Sequence, residues 1–231
     1  MKLKWIVVGM VAAGFLCAQA NPVLLDLNEE TGTGNDGSVT DFTDLGITGD
    51  LAGASVSQIL ASTNSSMTDG TITLSYLSGA AQGLTSYTTN NGVLVDYLYI
   101  ADGGNAGPVT MQMSGLSSLL SSDTEYYLYL IGAGDNTDQG STFTFDSTTR
   151  QTTSGTETLS DTVAQFTFTT AATVADTLDF TWERTDDNTY GTLNGIAIVA
   201  VPEPATLTLI GLAGSLQLLA RRLLPKKRKT A

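Results

Sequence analysis

Oxygen-bearing side chains dominate the chemistry open to this chain of 231 residues. Residues 21–201 hold 22 of its 23 carboxylates against two cations, Arg150 and Arg184, a net charge of −20. There is no histidine, and the one cysteine is Cys17. That composition removes Ser-His-Asp and Cys-His catalysis together with histidine-ligated metals. No Gly-x-Ser-x-Gly elbow is present. Gly32-Thr33-Gly34-Asn35-Asp36-Gly37 fits G-x-G-x-x-G. No long apolar helix follows it to present an N-terminus to a phosphate, so it reads as a loop. Two carboxylates can hydrolyse a glycoside. With 22 available, a pair at a suitable distance is expected by chance and carries no signal. No catalytic residue is expected, and the chain reads as non-enzymatic.

Binding chemistry is better supplied. Calcium takes oxygen ligands only, and Asp135-Asn136-Thr137-Asp138-Gln139-Gly140 gathers carboxylate, amide and hydroxyl oxygens around a turn. Asp135 and Asp138 are its candidate calcium ligands; a solvated hairpin turn is the simpler reading, and no other cofactor is expected. A sugar site wants aromatic faces with polar groups to orient hydroxyls. Trp182 alternates in phase with Leu178 and Phe180 and is expected in the core. Tyr87 and Tyr190 stand in polar surroundings, and Tyr190 has Asp186, Asp187, Asn188 and Asn194 nearby in sequence. Tyr190, Asp187, Asn188 and Asn194 are therefore the candidate sugar-binding residues. So acidic a body repels nucleic acid and anionic lipid.

The elements that must position these groups are β throughout. Residues 71–76, 142–145, 165–168 and 178–182 alternate at period two, as half-buried strands do. The runs 93–100, 126–131 and 196–201 are almost continuously apolar, which suits strands buried on both faces. Residues 23–27 and 109–113 complete a set of about nine strands. Turn signals lie between them at Asn35-Asp36-Gly37, Asp69-Gly70, Asn91-Gly92, Asp102-Gly103-Gly104, Asp135-Asn136 and Asp186-Asp187-Asn188. Residues 51–60 and 114–122 are each expected to hold a short helix or turn. No fixed-period repeat is present. The pattern predicts an all-β antiparallel sandwich, a jelly roll. Ser114-Gly115-Leu116 followed by Tyr126-Tyr127-Leu128-Tyr129-Leu130, and Tyr190 to Ile198 with its Asn194-Gly195 pair, resemble segments of galactose-binding-like jelly rolls. Many members of that superfamily bind carbohydrate through loops at one end, although a fold alone transfers no activity.

The two ends carry different signals. Lys2 and Lys4 precede an apolar run from Trp5 to Leu16, and Ala18-Gln19-Ala20 offers a small-x-small site. Residues 1–20 are thus expected to be a signal peptide, a short helix cut by signal peptidase before Asn21. Cys17 would leave with it. At the other end, Pro202-Glu203-Pro204 is extended by its prolines. An apolar stretch, Ala205 to Ala220, follows and would reach roughly 24 Å as a helix, short of the ~30 Å hydrocarbon core. Bilayer thinning, snorkelling of Arg221 and Arg222, or extension through Leu223-Leu224 would make up the difference. Those arginines and Lys226, Lys227, Arg228 and Lys229 form a basic end that the positive-inside rule holds in the cytoplasm. This order over residues 202–231 resembles the PEP-CTERM sorting signal of Gram-negative bacteria that make extracellular polysaccharide. The resemblance implies recognition of Pro202, Glu203 and Pro204 by exosortase, a membrane protease, and removal of the tail during export. Gln217 within the apolar stretch and the long basic end depart from the family pattern. The chain is therefore expected to comprise a signal peptide (1–20), an acidic β-sandwich (21–201) and a sorting tail with a short transmembrane helix (202–231). Its expected role is that of an exported, non-enzymatic cell-surface or extracellular-matrix protein. The alternative is a carbohydrate-binding module acting on extracellular polysaccharide.

Overall fold

A computed structural model describes residues 21–29, 36–49, 51, 53–86, 91–101, 107–134, 139–153, 159–185 and 190–202. The expected signal peptide and nearly all of the sorting tail lie outside these residues. Among the described residues no helix is long and apolar enough to cross a membrane.

Alternating sequence becomes alternating burial, and this builds two facing layers. The first is a five-stranded sheet in the order β11 (Val163–Thr169), β8 (Glu125–Ile131), β14 (Gly195–Ala200), β1 (Val23–Asn28) and β2 (Val56–Leu60). The second has the order β10 (Thr148–Gln151), β9 (Ser141–Phe145), β12 (Thr177–Arg184), β7 (Val109–Ser114), β4 (Thr73–Ser78) and β3 (Met67–Thr68). A three-stranded ladder, β13 (Tyr190–Leu193), β6 (Asp96–Ala101) and β5 (Gly83–Ser86), lies against β12. A Cβ on Gly191 would stand 2.8 Å from the Arg184 backbone nitrogen, so glycine permits that approach. Leu25, Leu27, Leu128, Leu130, Ile196 and Ile198 face Met111, Met113, Phe143, Phe180 and Trp182 across the main core. Trp182 is fully buried there, as its phase predicts, with its indole N–H unpaired among the described residues.

The continuously apolar strands owe their pattern to a second, smaller core. The outward side chains of the five-stranded sheet, Leu24, Tyr129, Ile131, Ala197 and Val199, are covered by Phe42, Leu45, Ile47, Val93 and Leu94. Both faces of β8 and β14 are thereby dry. The cover begins with helix α1 (Val39–Asp44), opened by a capping box in which Ser38 and Asp41 bond reciprocally.

Three sequence expectations need correction. Residues 51–60 hold the expected turn only at their start, where the Ala54 N–H bonds to the Leu51 carbonyl at 3.0 Å, and 56–60 form β2. It pairs parallel to β1, so the sandwich is not wholly antiparallel. A parallel pair demands a crossover, and the segment carrying α1 supplies it. The run 93–100 is not one strand: Gly92–Leu94 is a 3₁₀ turn roofing the outer core, and β6 starts only at Asp96. Against the expected nine strands, the described residues form fourteen, because β2, β3, β5, β10 and β13 are short or polar. Residues 114–122 do contain the expected turn, a 3₁₀ helix at Leu116–Ser118. Gly115 introduces it with φ 91°, where a Cβ would collide with the Thr71 carbonyl at 2.2 Å.

Candidate functional site

Period two sends Leu98 and Ile100 of β6 into the main core and leaves Tyr97 and Tyr99 on the opposite face. Strand β13 pairs with β6 so that Tyr190 stands opposite Ala101 and Thr192 opposite Tyr99. The rings of Tyr99 and Tyr190 meet edge to face, with centroids 5.4 Å apart and planes at 84°. On the other side of β6, Gly83 stands opposite Tyr99. A Cβ there would fall 2.1 Å from the Tyr99 ring, so glycine lets the ring lie across β5. These side chains line a cleft of about 340 Å³ with Leu84, Thr85, Tyr97 and Gln139. Tyr97 is buried and its hydroxyl donates to Gln139 Oε1 at 3.1 Å. Tyr99 and Tyr190 are half-buried, each keeping part of its ring open. Two fixed aromatic faces beside amide and hydroxyl groups can stack on a pyranose ring and hold its hydroxyls.

The structure treats the predicted sugar-binding residues unequally. Tyr190 lines the cleft. Asp187 and Asn188 lie outside the described residues, as does Asp186. Asn194 must be withdrawn from the set: it is fully buried, its Oδ1 accepts from the Ala133 N–H at 2.8 Å, and its Nδ2 donates to the Leu94 and Asp96 carbonyls at 3.3 and 3.1 Å. It rivets the start of β14 to the start of β6. Tyr87 lies outside the described residues, but Ser86 before it stands opposite Asp96, at the far end of β6 from Tyr190. The candidate calcium ligands Asp135 and Asp138 also lie outside the described residues. Sequence reasoning missed Tyr99, hidden within an apolar run; the Gly83 that accommodates it was the only local signal.

A second polar constellation lies where β1 finishes. Asp26 and Asn28 share the face of β1 that carries Leu24, under the segment leading into α1. Asp26 Oδ2 accepts from the Gly37 N–H at 2.6 Å. Asn28 Nδ2 donates to Asp36 Oδ1 at 3.1 Å and to Gln58 Oε1. Gln58 Nε2 in turn donates to the Gly37 carbonyl at 2.9 Å. Asp96 joins from β6, its Oδ2 accepting the Glu29 N–H at 3.2 Å. Burial pushes the Asp26 carboxyl up to about 7; the Gly37 N–H and the adjacent Asn28 side chain oppose this, and the charges of Asp96 and Asp36 add to it. Burial also raises Asp96, the Glu29 N–H bond opposing and the charges of Glu29 and Asp36 adding.

Two other openings are less suited to a ligand. A cleft of about 590 Å³ between β10 and β11 holds Arg150 and Gln165, but the Phe145 and Phe166 rings along it pack against each other at 5.8 Å. A groove of about 450 Å³ near Leu116, Phe168 and Val174 is chiefly apolar.

No protein-family model matches the sequence, and no curated protein matches it. Among solved structures, the chain is similar to a CBM22-1–GH10 piece of xylanase 10B from Clostridium thermocellum, solved with xylohexaose. The identity is 13% and the TM-score 0.30, over 53% of this chain and 25% of that one. It is similar to the CBM36-1 domain of a multidomain xylanase from the hindgut metagenome of Trinervitermes trinervoides, at 14% identity and TM-score 0.29, over 57% of this chain and 99% of that one. The CBM22-1 xylan-binding domain of Paenibacillus barcinonensis Xyn10C matches at 14% identity and TM-score 0.24, over 53% of this chain and 88% of that one. Likeness this distant transfers neither ligand nor activity.

Proposed function

We propose that this protein is an exported, non-catalytic glycan-binding protein of the cell surface, with the tyrosine cleft of β5, β6 and β13 as its binding face. The observation that carries this reading is the Tyr99–Tyr190 pair, held open over a cleft that Gly83 makes room for. The cleft's described lining of tyrosine, threonine, leucine and glutamine suits binding of a sugar face. A body of charge −20 disfavours anionic polymers, so the substrate class is neutral polysaccharide. Placement at the surface rests on the sequence: the Ala18–Ala20 cleavage site for signal peptidase, and Pro202-Glu203-Pro204 with its apolar and basic followers for exosortase. The Val201 N–H bonds to the Glu125 carbonyl at 2.9 Å, immediately before the sorting motif begins.

A glycan array of neutral and uronic oligosaccharides, probed with the purified full chain, tests the reading. Binding to neutral glycans is expected, weakened at least ~10-fold by Tyr190→Ala or Tyr99→Ala, since a lost stacking contact of about 1.5 kcal/mol corresponds to that factor. Each variant should keep its far-UV CD spectrum. Absence of glycan binding, or binding indifferent to both substitutions, would return the protein to a purely structural role in the matrix.

A further inference from the structure

The carboxylate nook at the end of β1 needs no ligand once Asp26 carries a proton, which accounts for the free Oδ1 atoms of Asp26 and Asn28. The tyrosine cleft has its own constraint, which bears on how much of a glycan it can take. Its floor is fixed. Tyr97 and Gln139 are each 4% exposed, and the Tyr97 hydroxyl donates to Gln139 Oε1. The Gln139 carbonyl accepts from the Gly134 N–H at 3.1 Å and from Thr192 Oγ1 at 3.2 Å, which ties the floor to β13. The walls are fixed as well. The Tyr99 ring lies over Gly83, where a Cβ would come within 2.2 Å of its hydroxyl oxygen, so β5 covers part of that ring. Tyr190 meets Tyr99 at 84° with centroids 5.4 Å apart, a contact with no room for a sugar between the rings. The pair is a corner and not a platform.

A flat glycan chain presents successive units with nearly parallel faces. Stacking two of them requires two rings side by side in one plane, which rings in contact at right angles cannot provide. A single pyranose can instead lie with its face on one ring and its edge against the other. An internal unit carries a linkage on each side, and in a corner one of these would run into the second wall. A terminal unit carries only one linkage and leaves by the open side. The volume of about 340 Å³ also lies near the lower limit for a small-molecule site. Resting on the glycan reading above, we infer that the cleft recognises chain ends: it takes one terminal pyranose of a neutral polysaccharide, with Tyr99 and Tyr190 as its two walls.

The test titrates the purified full chain by calorimetry with linear glucose, xylose, mannose and galactose oligosaccharides, each series running from disaccharide to hexasaccharide. The described lining holds no third open ring, so affinity in the series that binds should rise less than ~3-fold over that range. Tyr190→Ala should lower it at least ~10-fold at every length. A rise with length above ~3-fold, still sensitive to Tyr190→Ala, would overturn end recognition and leave glycan binding standing, because further units would then be in contact. Absence of binding in all four series, or binding indifferent to Tyr190→Ala, would take the glycan reading down as well. The length dependence is measured on the parent, so it stands whether or not the variant folds.

Discussion

Strand β6 joins two polar regions built on opposite plans. At its start Asp96 enters the nook with Asp26, Asn28 and Asp36, where buried oxygens outnumber the donors that reach them. Further along, Tyr97 and Tyr99 form the cleft, where the buried Tyr97 hydroxyl and Gln139 amide satisfy each other and the unspent surface is aromatic. The nook has its polar atoms turned inward and lacks positive charge. The cleft has settled its polar atoms and shows ring faces outward. A protein interior tolerates the second arrangement unaided, whereas the first asks for something more. The contrast separates a stabilising site from a recognition site on one strand.

The largest test of this contrast is Asn194, which touches neither ring nor carboxylate yet braces both regions. Its side chain satisfies the Ala133 N–H and the Leu94 and Asp96 carbonyls, all in a dry setting. Asn194→Ala would strand three backbone groups at about 1–3 kcal/mol each, a loss on the order of 5 kcal/mol. Chemical denaturation of the parent and variant would measure it. A loss below about 1 kcal/mol would mean that β6 is positioned by packing alone.

Asn194 also shows what sequence could and could not reveal. Strands with strict alternation, such as β9, β11 and β12, were legible because a single buried face writes period two directly into residue type. The long apolar runs of β8 and β14 were legible as doubly buried strands, but what covered their outer faces was not. That cover comes from residues 39–47 and 93–94, whose Phe42, Leu45 and Ile47 are sparse apolar residues among Thr, Asp and Gly. Ser38-Val39-Thr40-Asp41 carried a capping-box signal in shortened form, with Asp in place of Glu. Tyr190 could be picked out by its polar neighbours; Tyr99 could not, since only the strand register turns it away from Leu98 and Ile100. The nook was invisible because its members come from residues 26–36, 58 and 96, and one among 22 acids looks like another until burial distinguishes it. Asn194 looked like a binding-loop asparagine because it lies close to Tyr190 in sequence; here it sits between β13 and β14 inside the core.

An effect of similar but smaller size should appear on titration of the protein. The Asp26 carboxyl stands at about 7 in the folded chain against 3.8 for an ordinary aspartate. The folded state therefore holds the extra proton between these values, and stability falls as pH rises through that window. It is fully present near pH 4 and lost above pH 7, a change on the order of 4 kcal/mol for a shift of this size. Denaturation midpoints between pH 4 and 8 would show the fall, and Asp26→Asn should flatten it. Binding at the tyrosine cleft, which has no carboxylate in its described lining, should not follow the same curve. A stability profile of the parent that rises from pH 4 to 7 would contradict a buried, crowded Asp26.

The smallest effect, and the most local, concerns the roof of the nook. Ser38 Oγ accepts from the Asp41 N–H at 3.3 Å, and the Ser38 N–H donates to Asp41 Oδ2 at 2.8 Å. Partial burial works to raise the Asp41 carboxyl, but hydrogen bonds from Ser38, the Gly92 N–H and its own N–H together outweigh it and hold the group below the ordinary aspartate range. Its contribution is therefore present at neutral pH and lost as pH falls through that lowered value. Ser38→Ala removes an N-cap, at a cost of about 1 kcal/mol or ~3 °C in melting temperature for a domain of this size. The cost should shrink in acid below the ordinary aspartate range, where the parent's own Asp41 becomes protonated and the reciprocal bond weakens. Gly37, whose N–H reaches Asp26, is the residue immediately before Ser38. Loosening the cap should therefore also shift the Asp26 titration while leaving glycan affinity unchanged. A glycan affinity that falls together with that shift would mean that the nook and the cleft share one support.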